Sequence, residues 1–188
     1  ILATKKEGAS GKRLVKELEK AKKRLEVKIR KKAATDKKDV AVTFEEIGVD
    51  ALFVDEADNF KNLWFPTKMT RVAGLPNSES QRALDMYMKT QYLSQRNGGR
   101  GITFATGTPI SNSLAEMYTM QRYLQPDWLR EHGLQHFDAW AQAFAEVRPV
   151  MEVSPDGSGM RLTNRLSKFV NIPELAQAFR QVADIQTA

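Results

Sequence analysis

Two short apolar runs, each cut off by a polar turn, constrain this chain more than any other feature. The first, Val49 to Val54, stops at Asp55; the second, Gly101 to Ala105, stops at Thr106. Short continuous apolar runs bounded by turn signals predict strands buried on both faces. Between them Ser80 to Arg96 places Leu84, Met88 and Tyr92 along one side and closes on Asn97-Gly98-Gly99, which predicts a helix and its stop. Strand, helix, strand with buried strands argues α/β with a parallel sheet.

A chain of 188 residues with 41% apolar and 28% charged residues can bury a core, so wholesale disorder is excluded. No apolar run approaches the roughly 20 residues needed to span a bilayer, and no secretory or transit segment opens the chain. Without cysteine there is no disulfide framework, thiolate zinc site or cysteine nucleophile, which fits a reducing cytoplasm. The chain opens on Ile1 and reads as a piece of a longer protein.

Charge divides unevenly. The first forty residues hold 15 of the 29 Lys and Arg and 6 of the 23 Asp and Glu, so the net charge of +6 comes from that segment. Within it Leu14, Leu18, Ala21, Leu25 and Ile29 recur at helical spacing among charges, which predicts one helix from about Gly11 to Lys32. The stripe is as narrow as a coiled-coil seam. It suits half of a helical hairpin pairing through Leu14, Leu18, Leu25 and Ile29, or an arm that contacts nucleic-acid phosphates. Residues 1–40 therefore read as a basic amphipathic helix, and residues 41–188 as an α/β lobe with a C-terminal hairpin and helix.

Along that lobe, residues 59–79 suggest a long irregular connection. Ser113 with Glu116 predicts a capping box for a helix to about Leu124. A further helix starts at Pro126, breaks near Gly133, and resumes through Phe137 to Val147. Val150 to Val153 and Met160 to Leu162 flank Pro155-Asp156-Gly157-Ser158-Gly159, a hairpin signal. Asn171 and Glu174 predict a capped final helix through about Asp184.

The chemistry lies at the ends of the two apolar runs. A hydrophobic strand ending in adjacent carboxylates suits a nucleotide hydrolase: Asp55 can hold Mg²⁺ and Glu56 can orient the attacking water as general base. The same pair also occurs as a solvated loop entry. The second run enters Thr106-Gly107-Thr108-Pro109, where Gly107 permits close backbone approach, Pro109 fixes the exit, and the threonines offer hydroxyls beside the first strand if the strands are neighbours.

These motifs, DEADNFKN and TGTPISNSLAEMY, resemble motifs II and III of superfamily 2 helicases, and of the Swi/Snf-type group in particular. The strings FVDEADNFKNLWFPTKM and RLSKFVNIPELAQAFRQVADIQT are similar to the helicase part of DNA methylase–helicase proteins carried by phages, plasmids and integrative elements, over roughly Thr43 to Thr187. The resemblance implies a partial RecA-like motor lobe that couples hydrolysis of ATP, with Mg²⁺, to movement on DNA. It implies a nucleotide site of Asp55, Glu56, Asp58, Thr106, Gly107 and Thr108, with supporting roles for Lys61 and Asn62. Position 58 is Asp where Swi/Snf-type members mostly carry His, which bears on the contact from that position to motif III.

No G-x-x-x-x-G-K-[ST] phosphate loop is present; Gly8 to Arg13 has the wrong glycine spacing. The resemblance implies a phosphate loop upstream and a second lobe with arginine fingers downstream, so the isolated chain is expected to show no ATPase activity. Further cations suit nucleic acid: Lys61, Lys68 and Arg71 with the aromatics of Phe60 to Phe65, and Arg161, Arg165 and Lys168. The alternatives are satellite core for the aromatics and solubilising charge for the cations. A nucleic-acid-binding module without catalysis, built on the basic helix and the Phe60 to Arg71 loop, is the second reading, and an adaptor built on the Leu14 to Ile29 seam the third. His132 and His136 are spaced like metal ligands on a helix, but Gly133 between them weakens that helix and no carboxylate completes a convincing set.

Overall fold

The structure, a computed structural model, describes residues 9–35, 42, 44–69, 71–76, 80–154 and 156–186. The chain divides into two compact units, residues 1–49 with 66–68, and residues 50–65 with 69–188.

In the first unit, helix α1 (Ala9–Thr35) covers the predicted basic helix and runs beyond it at both ends. Val15 is buried, Leu18, Ala21 and Leu25 are half-buried, and Ile29 is exposed, so the seam faces inward at its N-terminal half and loosens towards its end. The side chains of Leu14, Lys31 and Lys32 lie outside the described residues. A short helix, α2 (Phe44–Ile47), follows and closes through Gly48 N–H to Glu45 O.

The second unit is built on two sheets. Strand β1 (Leu52–Val54) lies parallel to β3 (Ile102–Phe104) in the register Leu52 to Ile102, Phe53 to Thr103 and Val54 to Phe104. Helix α3 (Gln81–Arg96) makes the crossover, with the Ser80 hydroxyl accepting from Ala83 N–H as its N-cap. The parallel α/β arrangement expected of the two apolar runs is thus present, and it is consistent with part of a RecA-like lobe. The strands are not covered on both faces as their apolar runs predict. Leu52, Val54, Ile102 and Phe104 turn inward, whereas Phe53 (77% exposed) and Thr103 face outward. The physical reason is that the described sheet has two strands and one covered face.

Gly101 sets the entry to β3. Its φ is +88°, its carbonyl accepts from Leu52 N–H at 2.7 Å, and an added Cβ would fall 2.7 Å from the Asp50 carbonyl oxygen. Only glycine fits both the backbone angle and that approach.

The other sheet has the order β2 (Val72–Ala73), β5 (Met160–Phe169), β4 (Ala145–Val153), with β2 parallel and β4 antiparallel to β5. The hairpin is longer than its turn signal predicts. Helix α6 (Phe137–Phe144) stops where the sequence suggests helix through Val147, because Ala145 is already extended and pairs with Phe169. Cross-strand pairing overrides the helix preference of alanine and glutamate there.

The core gathers around α4 (Ala115–Leu124), whose residues Ala115 through Gln121 and Tyr123 are all buried. Phe65 stacks on Phe137 at 4.3 Å and meets Tyr118 edge-on at 5.2 Å, and Trp140 packs against Tyr118 and Phe144. Buried polar groups form a chain: Trp140 Nε1 donates to Gln121 Oε1 at 2.7 Å, Gln121 Nε2 to Gln125 Oε1 at 3.3 Å, and Gln125 Nε2 to Ala178 O at 2.7 Å. That chain ties α6 and α4 to α7 (Ile172–Phe179), which ends short of the expected Asp184. Helix α5 (Pro126–Glu131) begins at Pro126 as its sequence predicts and contributes Leu129 to the core. Leu63 and Phe65 are buried and Trp64 half-buried, so much of the aromatic segment is core under an irregular loop.

Candidate nucleotide site

The end of β1 runs directly into the acidic loop, and hydrogen bonding to the end of β3 fixes its path. Ala105 N–H donates to Val54 O at 2.8 Å and Ala57 N–H to Ala105 O at 3.0 Å, which extends the ladder past both strands. Between those bonds the chain turns at Glu56, a non-glycine residue in the left-handed region at φ 52° and ψ 50°. Such backbone strain concentrates at functional sites. The turn is held by Glu56 N–H to Asp55 Oδ1 at 3.0 Å and by Asn59 N–H and Nδ2 to Glu56 O, each at 3.0 Å. A 3-10 turn over Ala57–Phe60 follows.

The threonine turn is bonded to that loop. Thr106 Oγ1 donates to Asp58 Oδ1 at 3.4 Å, a long bond, and accepts from Thr108 N–H at 3.1 Å. Aspartate at position 58 thus reaches the threonine turn through a carboxylate. A Cβ placed on Gly107 would meet no atom within 4 Å, so its backbone faces open space.

Asp55 and Glu56 are both exposed at the strand tip. The hydrogen bond with Asp58, the charge of Asp58 and the charge of Asp55, in that order, hold the Glu56 carboxyl above the ordinary 4.5. A carboxyl raised in the folded chain contributes stability that is fully present below 4.5 and lost as the pH rises through the raised value. Asp58→Asn will bring Glu56 back towards the ordinary value in a carboxyl-carbon NMR titration; an unchanged midpoint would rule out Asp58 as the cause.

Lys61 occupies a different place from the one its sequence context suggests. It is buried, and its Nζ donates to Thr108 O and Ser111 Oγ, each at 2.8 Å, and lies 3.3 Å from Glu116 Oε2. Its charge is thus engaged inside the fold rather than on the surface. Glu116 does not close a capping box with Ser113. Its carboxylate turns back to accept from Ser111 N–H at 2.6 Å and Asn112 N–H at 3.3 Å. Glu116 and Ser111 are site residues that sequence reasoning missed; the capping-box signal pointed to Glu116 but gave it a local task.

The remaining cations lie apart from this cluster in their bonding. Arg165 is paired with Glu152 at 2.7 Å, while Arg71, Arg161 and Lys168 are exposed, as is Lys68 in the other unit. Asn62 is exposed beside Lys61. His132 stacks on Trp128 at 4.2 Å, and its Nδ1 lies 2.9 Å from Trp128 O. Among the described residues no group of three or more His, Cys, Asp or Glu could hold a metal ion by itself. Magnesium that arrives with a nucleotide needs only one or two protein carboxylates beside the phosphates. Asp55, a hard oxygen donor with one oxygen engaged, fits that need.

No helix among the described residues is long and apolar enough to cross a membrane. No solved structure matches the chain. Among curated proteins it is similar to the "Defense against restriction protein B" of Escherichia phage P1, 29% identical over 159 residues, which is 82% of this chain and 7% of that protein. The chain thus spans a small part of the relative it matches. Residues 2–187 match the family described as "Probable helicase domain", which covers nearly the whole sequence and both halves of the site. The chain belongs to this helicase-domain family.

Proposed function

We propose that this domain is the motif II and motif III part of the first motor lobe of an ATP-dependent DNA helicase or translocase. By its motifs the motor is of the Swi/Snf type, in a large protein of the DNA methylase–helicase kind. The observation that carries the reading is the bonding of the acidic loop to the threonine turn across neighbouring parallel strands, from Ala57 to Ala105 and from Thr106 to Asp58. Ligands of open α/β sheets bind at such carboxyl ends.

In this role Asp55 would hold the Mg²⁺ that arrives with the nucleotide, and the ion would supply charge stabilisation at the phosphoryl group. Glu56 Oε accepts a proton from the attacking water, as a carboxylate at the strand tip beside the metal ligand can. Asp58 and Thr106 hold the two loops in register. The exposed backbone at Gly107 and the Thr108 side chain face the nucleic-acid side of the motor. The rest of the motor, with its phosphate loop and second lobe, completes the site, and DNA is the track.

Phosphate release from ATP by the full-length protein tests the reading. Release will rise when duplex DNA is added, and the rise will shrink as salt increases, because the track is held through its phosphates. Turnover indifferent to DNA at every salt concentration would contradict it.

A further inference from the structure

The strongest unassigned feature is the buried ion pair between Lys61 and Glu116, whose side chains are 7% and 9% exposed. Lys61 has three donors, and the three surrounding acceptors, Thr108 O, Ser111 Oγ and Glu116 Oε2, match them. Glu116 also accepts the N–H groups of Ser111 and Asn112. Burying two charges costs desolvation that a pair of apolar side chains would not incur. A pair with every donor and acceptor engaged on one turn instead fixes the geometry of that turn.

The bonds form a closed circuit. Lys61 N–H donates to Asp58 O at 3.2 Å, Lys61 Nζ to Thr108 O, Thr108 N–H to Thr106 Oγ1, and Thr106 Oγ1 to Asp58 Oδ1. The Thr108 peptide is thus gripped at both ends, its N–H by Thr106 and its carbonyl by Lys61. Glu116 anchors the circuit to the first turn of α4, a helix buried along nearly its whole length. A displacement of the acidic loop cannot leave the threonine turn behind while this latch is closed.

We propose that Lys61 and Glu116 are positioning residues that lock the threonine turn to the acidic loop and set the geometry in which Glu56 works. This rests on the hydrolytic reading above. Neither residue touches nucleotide; both act through Thr108, Ser111 and Asp58.

The test is ATP turnover by the full-length protein carrying Lys61→Met, the double variant Lys61→Met with Glu116→Leu, and Glu56→Gln. Lys61→Met will lower kcat about 10–100-fold, the scale of a reacting group displaced by about an ångström. KM for ATP will stay within about a factor of two, because the bonds lost are not made to the nucleotide. The double variant removes both charges, so its melting temperature will recover towards wild type while kcat stays low. Recovery of kcat together with melting temperature would overturn the proposal and leave the pair as neutralised core charge. Wild-type kcat in Lys61→Met with Glu56→Gln inactive would overturn it as well. Wild-type turnover in Glu56→Gln would instead remove the hydrolytic reading itself, and the positioning role with it.

Discussion

Trp140→Ala will lower the unfolding free energy of the domain by about 3–5 kcal/mol, the largest stability loss expected of any single truncation in its core. Trp140 is fully buried at the junction of α6 with α4, against Tyr118, Phe137 and Phe144. Its removal opens a cavity in a layer that other large rings cannot move to fill. It also strips Gln121 Oε1 of its donor, although Gln121 is itself fully buried and linked through Gln125 to the carbonyl of Ala178. A buried acceptor left unpaired costs about 1–3 kcal/mol. Trp140→Phe separates the two effects, since it keeps much of the ring but loses the donor, and it will show roughly the smaller loss. Urea unfolding followed by circular dichroism measures both. A loss below about 1 kcal/mol for the alanine variant would mean that this layer does not carry the fold.

Because α4 follows the threonine turn through the Ser111–Leu114 link and is buried along nearly its whole length, the same layer supports the site. The capping-box signal at Ser113 and Glu116 predicts a helix to about Leu124, where α4 ends, but the box is not formed and the signal could not show the helix's burial. Glu116, Thr119, Gln121 and Gln125 are polar, yet each is buried. Thr119 bonds locally to Ala115 O, but Glu116 meets Lys61, Gln121 meets Trp140 and Gln125 meets Ala178, partners that only the tertiary fold reveals.

The parallel pairing of β1 with β3, by contrast, was legible. Short β-branched runs, a helix of suitable length between them and polar stops at Asp55 and Thr106 leave few arrangements other than a crossover. The acidic loop and the threonine turn then meet because parallel strands end on the same side. What escaped was the depth of cover: nothing in ALFV tells that Phe53 would face outward, since burial on both faces depends on strands and helices beyond the pair. The length of the β4–β5 hairpin escaped for another reason. Ala145 and Glu146 carry helix preference, and only the register against Phe169 and Lys168 decides for strand. Lys61 shows the limit most clearly, because a lysine among aromatics has the composition of a nucleic-acid loop, while its burial makes it a partner of Glu116.

Under the proposed function Glu56, held in its strained turn beside Asp55 and Asp58, acts as the base of an ATP-hydrolysing site completed by the threonine turn. Glu56→Gln preserves size and hydrogen-bonding capacity but cannot take a proton, so it isolates that role from packing. DNA-stimulated phosphate release by the full-length Glu56→Gln protein is the most direct measurement. A fall of about 100-fold or more, with ATP binding retained, is the predicted result. Turnover within a few-fold of wild type would show that the acidic pair is not the hydrolytic centre.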